Sequence, residues 1–144
     1  MKFALTIAVI LLVSMINAKL GDPAITSGPD LDTKMEGEMQ GTWILFFFKK
    51  SSPSSRVSSL RTEVKSKILD VHPDFHYYEC DVDSGSFNDV VDKFKIDDTE
   101  LKHSPTVMVA SEGTAYWVHG DGCVDDIVSH LTQYSGELRR AANQ

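Results

Sequence analysis

Between Thr42 and Phe48 the sequence TWILFFF is apolar on both faces of an extended chain, the pattern of a central strand covered by helices on each side. Downstream of this strand the chain alternates between helical and strand periods. After a serine-rich stretch, Val57, Leu60, Val64, Ile68 and Leu69 recur at helical spacing, and Pro53 stands where it can open that helix, so a helix is predicted over about 53–69. FHYYECDV, residues 75–82, reads as a second strand. Residues 87–94 read as a second helix, with Ser86 and Asp89 spaced as a capping box. Two strands, 106–110 and 115–119, flank Ser111-Glu112-Gly113-Thr114 as a hairpin. A last helix is predicted from near Asp121 or Gly122, burying Val124, Ile127, Val128 and Leu131; a short one over 30–39, stopped by Gly41, precedes the first strand. A βαβ unit followed by a ββα unit specifies an α/β sandwich of three layers around a central mixed sheet.

At 144 residues and 42% hydrophobic content the chain has the size and composition of one globular domain. A net charge of −7 argues against nucleic acid as a partner, since phosphate binding needs clustered Lys and Arg. The N-terminus changes the picture more. Lys2, an apolar run from Phe3 to Met15 and a small residue at Ala18 form the pattern of a cleaved signal peptide, and the run is short of the roughly 20 apolar residues of a membrane-spanning helix. The expected organisation is a signal peptide over 1–18, a Gly- and Pro-rich lead-in over 19–29, one domain over 30–135 and a tail over 136–144. The expected location is the endoplasmic reticulum lumen or the exterior, with no membrane attachment after cleavage.

Four local features, in this order of elements, resemble the thioredoxin-like domains of the protein disulfide isomerase group. Ser51-Ser52-Pro53-Ser54 stands where that group carries Cys-Gly-Pro-Cys or Cys-Gly-His-Cys, and Ser104-Pro105-Thr106 stands like its cis-proline tripeptide. Glu79-Cys80-Asp81-Val82-Asp83 resembles the acidic end of its second central strand, and Gly120 follows the last strand as the group's glycine does. The resemblance spans about residues 24–135. KFKIDDTELKHSP, 93–105, is longer than in a minimal thioredoxin and more like the non-catalytic domains of the isomerases. The resemblance implies a thioredoxin-like fold, a cis bond between Ser104 and Pro105, and a peptide-binding edge formed by Ser104, Pro105 and Thr106.

The family's chemistry is a different matter. Thiol–disulfide exchange needs an attacking thiolate and a second thiol to resolve the mixed disulfide. Ser51 and Ser54 supply neither, and Leu45 occupies the position of the buried acid that redox-active relatives carry in the central strand. Three readings of the turn stand side by side: a serine-rich helix-capping turn, an anion site built from Lys49, Lys50, Ser51 and Ser52 at a helix N-terminus, and a nucleophilic serine, for which no local His or Asp offers a base.

No metal or cofactor is implied. DVDSGSFNDVVD, 81–92, misplaces the glycine of a calcium loop and ends on Asp, and His119 with Cys123 makes no zinc spacing. Lys49, Lys50, Arg56 and Arg61 form a loose basic edge on an acidic chain. Under the implied strand order Cys80 and Cys123 are too far apart for a disulfide, and Cys123, at a helix N-terminus, is the one position open to residual redox or intermolecular disulfide chemistry. The expected function is that of a secretory-pathway thioredoxin-like module that binds a polypeptide or protein partner in a chaperone-like way without dithiol chemistry. The alternatives are a weak oxidoreductase or isomerase acting through Cys123 and a structural assembly subunit.

Overall fold

The computed structural model describes residues 25–37, 41–112 and 114–142, so the expected signal peptide and most of the expected lead-in lie outside the described residues. Helix α1 spans Gly28–Gly37, strand β1 Thr42–Phe48, and helix α2 Ser54–Val64, continuing as a π-helical turn over Lys65–Leu69. Strand β2, His76–Asp81, comes next, then a 3-10 turn over Val82–Ser84, helix α3 over Asn88–Phe94 and a single-turn helix α4 over Asp98–Leu101. Strands β3, Thr106–Ser111, and β4, Thr114–His119, precede helix α5, Cys123–Ala142.

The sheet has the order β2-β1-β3-β4. β1 pairs in parallel with β2 and antiparallel with β3, with Leu45 opposite both Tyr78 and Met108 and Phe47 opposite Cys80 and Thr106. Because strand side chains alternate faces, β1 feeds two cores. Trp43, Leu45 and Phe47 pack with Leu31 of α1, Val90 of α3 and Leu101 of α4 on one face. Ile44 and Phe46 pack with Val57, Leu60 and Val64 of α2 and with Cys123, Val124 and Ile127 of α5 on the other. The strands therefore form the middle layer of a three-layer α/β sandwich, the fold class expected from the periodicity.

Several boundaries differ from expectation for identifiable reasons. α1 begins at Gly28 because the Thr26 and Ser27 hydroxyls both donate to the Asp30 carboxylate, and Ile25 is buried in the α1 core. Those hydrogen bonds hold the Asp30 carboxyl below its ordinary range. The capping box before α3 does not form. Phe87 occupies the N-cap without a side-chain bond, and Ser86 turns its backbone N–H to Ser84 and its carbonyl to Gly28. α4 was not expected; Asp97 caps it, its carboxylate accepting from the Thr99 and Glu100 N–H groups. α5 runs to Ala142, through most of the segment read as a tail.

The Ser104–Pro105 bond is trans, and no peptide bond among the described residues is cis, contrary to the expectation taken from the family. Cys80 was expected on an inner strand; among the described residues β2 is an edge. The two thiols are free and lie on opposite faces of the sheet, each fully buried.

Cys123 was expected to be the reactive thiol. Its helix N-terminus does favour a thiolate, but burial, reinforced by the Glu63 carboxylate, pushes the group up to about 11, and burial raises Cys80 further. A thiol reagent at pH 8 should therefore modify Cys123 at least about a hundredfold more slowly than a free cysteine, and both cysteines fully once the chain is unfolded. Timed labelling with mass detection reads this, and rapid native modification of Cys123 would contradict its burial. Replacing Phe47 by Ala should cost about 3–5 kcal/mol in denaturant unfolding, as for other large core truncations.

Candidate functional site

The turn between β1 and α2 sits where the central strand leaves the sheet. Phe48 ends β1, Lys49 accepts the Ser52 N–H at its carbonyl, and Pro53, at φ −55° and ψ 122°, forms the N-cap of α2 with no side-chain cap. The Arg56 and Val57 N–H groups both donate to the Pro53 carbonyl. Ser51 and Ser54 are exposed. Ser52 is buried, and its hydroxyl donates to the Leu101 carbonyl at the end of α4. Leu45 is fully buried among apolar side chains, so no ionisable group takes its place in the strand.

The cations here are all answered by carboxylates. Lys49, only 12% exposed at its side chain, pairs with Asp98 of α4 and lies 3.8 Å from Asp83. The Lys50 N–H donates to Asp83 at 2.6 Å, and its ammonium lies 3.7 Å from Asp81. Lys49 holds the Asp98 carboxyl below its ordinary value through their hydrogen bond. Arg56 pairs with Asp121, and Arg61 forks onto Glu79 with N···O distances of 2.8–3.1 Å. These contacts count against the reading of Lys49, Lys50, Ser51 and Ser52 as an anion site. Three carboxylates already answer the two ammonium groups, and the Ser52 hydroxyl is committed to a carbonyl.

Glu79 is a residue whose role the sequence did not disclose. It accepts from Tyr77 at 2.7 Å as well as from Arg61, and the Arg61 guanidinium lies 5.9 Å from the centre of the Phe46 ring and 5.8 Å from that of Phe48. The network ties α2 to β1 and β2. Burial and the neighbouring carboxylate both raise the Tyr77 hydroxyl well above its ordinary value, so it stays a donor. Its signal in the sequence was the Tyr-x-Glu alternation on one strand face, which has meaning only once Arg61 is placed opposite.

The expected peptide edge also differs. Ser104, Pro105 and Thr106 are buried. Ser104 donates its N–H to Glu100, its hydroxyl has no hydrogen-bond partner, and the Thr106 hydroxyl lies 3.3 Å from His119 Nδ1. Thr106 pairs with Phe47 on one side and His119 on the other, which leaves no free strand edge at that residue. The segment 93–105 contains α4, whose Asp98 and Leu101 fasten it to the turn at 49–52 just before these residues.

Other surface chemistry lies elsewhere. Trp117 and Tyr116, consecutive on β4 and so on opposite faces of the sheet, are 41% and 37% exposed. A cavity of about 250 Å³ opens on the α1/α3 face at the hairpin end of the sheet, walled by Met35, Trp43, Phe94 and Ala115. Among the described residues no group of three or more His, Cys, Asp or Glu side chains is placed to hold a metal ion, and no helix is long and apolar enough to cross a membrane.

A structural turn and a working one separate under mutation. Ser52→Ala should cost about 1–3 kcal/mol, because it leaves a buried carbonyl without its donor. Ser51→Ala and Ser54→Ala should each stay within about 0.5 kcal/mol of the parent. Urea unfolding of the three variants measures the contrast, and equal losses at all three positions would contradict it.

No family model matches the sequence, and no curated protein does. Solved structures do. A thioredoxin of Schistosoma mansoni superposes with a TM-score of 0.57 at 15% identity, over 76% of this chain and 92% of that one. A thioredoxin of Fasciola hepatica gives 0.54 at 12% identity, over 72% and 93%. A chloroplastic thioredoxin z gives 0.54 at 17% identity, over 80% and 96%. At such identities the likeness speaks to architecture alone. With its four-stranded mixed sheet and helices on both faces, the chain has the thioredoxin-like α/β fold.

Proposed function

We propose that this chain is a thioredoxin-fold protein of the secretory pathway that binds a polypeptide partner and performs no dithiol exchange. The observation that carries the reading is the placement of sulfur. The turn that opens α2 presents Ser51 and Ser54, while both cysteines of the chain are fully buried on opposite faces of the sheet. Serine is neither nucleophile nor resolving group for a disulfide at neutral pH, and a buried thiol raised to about 11 cannot replace it. The oxidoreductase alternative through Cys123 loses its basis with that burial.

Binding is supported by what the surface offers instead. Two aromatic side chains, Tyr116 and Trp117, are exposed on opposite faces of a strand that is an edge among the described residues, where a partner can add main-chain hydrogen bonds without any cysteine. The signal-like residues 1–18 and the resemblance to the disulfide isomerase group support a lumenal or exported setting.

The parent protein should reduce a disulfide-linked substrate, in the presence of dithiothreitol, no faster than dithiothreitol alone. Ser51→Cys with Ser54→Cys should form a disulfide at the head of α2 yet turn over slowly, since Leu45 offers no proton acceptor and acid–base assistance is worth about 10²–10⁴-fold. Adding Leu45→Asp should accelerate the double variant at a cost in stability. Reductase turnover by the parent would end the reading.

A further inference from the structure

β4 is the outer strand of the sheet, and no other strand among the described residues pairs with its far edge. Natural edge strands are usually guarded by charge, proline or a bulge. Thr114-Ala115-Tyr116-Trp117-Val118-His119 contains no Lys, Arg, Asp, Glu or Pro. Its two exposed aromatics are held in place: Tyr116 stacks on His130 at 4.1 Å between ring centres, and Trp117 meets Phe94 edge-on at 6.1 Å. Aromatic anchors fixed in this way lose little entropy when a partner arrives.

The 250 Å³ cavity adjoins this edge. Phe94, against which Trp117 packs, forms part of its wall, and Ala115, two residues from Trp117 on the same face of β4, forms another part. Trp43 also lines it, buried, with an indole N–H that has no hydrogen-bond partner. The rim is acidic. Lys93 is taken up by Asp32 at 2.9 Å, whereas Glu36 and Glu112 have no ion-pair partner among the described residues.

We propose that β4 and this cavity together bind an extended polypeptide segment. The segment adds as a strand beside β4, places one apolar side chain in the cavity and sets Lys or Arg next to Glu36 and Glu112. This deepens the partner-binding reading above and rests on it. The strand edge supplies unpaired backbone groups, and strand spacing of about 4.8 Å brings alternate side chains of the added strand over Ala115 and Trp117. The cavity lies below the roughly 300–1,000 Å³ of a small-molecule pocket, which suits a single side chain rather than a cofactor. The two unanswered carboxylates, on a chain of net charge −7, select a basic segment over an acidic one.

The probe is a dye-labelled nine-residue peptide of alternating Thr and apolar residues, with Phe at its centre and Lys at both ends, titrated by fluorescence anisotropy with the full chain. Saturable binding is expected. Exchanging Lys for Glu in the peptide, N-methylating alternate amides along one of its edges, or introducing Trp117→Ala into the protein should each weaken binding by about tenfold or more. Glu36→Gln with Glu112→Gln should weaken it and flatten its salt dependence. Equal affinity for the Lys and Glu peptides, or indifference to both N-methylation and Trp117→Ala, would overturn the proposal. A permanently unfolded, carboxymethylated protein run in parallel separates the two levels. If the parent and Trp117→Ala bind it alike while the peptide is ignored, the β4 site fails and the partner-binding reading stands. If neither probe binds, both fail. A dimer seen by sedimentation in the absence of peptide and dissolved by Trp117→Ala would assign the edge to a second copy of the chain and likewise overturn the proposal.

Discussion

The structure depends on a single strand that is buried on both sides. From Trp43 to Phe47 every residue of β1 lies in one core or the other, and its backbone is paired to β2 and β3 over most of its length. No other strand among the described residues is held between two neighbours and two helical layers in the same way and also leads directly into the turn at 49–53. The chain leaves it at Phe48 in a fixed position and direction, and α2 must start within a few residues to bring Val57 and Leu60 back onto Phe46. The length of the turn is thus set by packing, whatever side chains it carries.

With no reactive group to keep accessible, the turn is fastened down. α4 delivers Asp98 to Lys49 and the Leu101 carbonyl to Ser52, while the end of β2 and the turn after it deliver Asp81 and Asp83 to Lys50. Each contact removes something that a binding or catalytic loop would leave free: a cation, a hydroxyl or a backbone N–H. Ser104 and Pro105, in the same segment as α4, are buried, and Thr106 is closed on both sides by strand pairing. The turn at 49–53 is a structural joint between β1, α2 and α4.

The sequence disclosed the fold through periodicity because burial on alternate faces leaves its mark residue by residue. TWILFFF and the helical spacing of Val57, Leu60, Val64 and Ile68 are visible without any knowledge of partners. The site was less legible because its character depends on side chains distant in sequence. Lys49 and Lys50 read as a basic pair until the topology brings in acids from 81, 83 and 98. Cys123 read as an activated thiol from its place at a helix N-terminus, a local rule, but it faces the sheet, and desolvation outweighs the dipole. The Ser104–Pro105 geometry was carried over from a resemblance, and the bond is trans in a segment fastened to the turn at 49–52 by Asp98 and Leu101. The capping box failed on the same principle, since Ser86 meets Gly28 of a distant helix before it can meet its own.

The cations and the Ser52 hydroxyl of the turn at 49–53 are already engaged, so the proposed recognition is placed on another surface. Around the 49–61 end of the fold Lys49, Lys50, Arg56 and Arg61 are each paired with carboxylates, so none of these cations is left to attract a partner. At the opposite, hairpin end, the strand edge carries no charge, two aromatic rings are held by Phe94 and His130, and two glutamates remain without ion-pair partners among the described residues. Backbone groups, apolar area and unanswered charge are the three components of β-strand recognition, and they occur together at that end. The cost of such an arrangement is exposure to unwanted strand pairing, which charged edges normally prevent. Repulsion between chains of net charge −7 opposes self-pairing while favouring a basic partner. What opposes self-pairing at an unguarded edge is thus the charge of the whole molecule rather than residues of the strand.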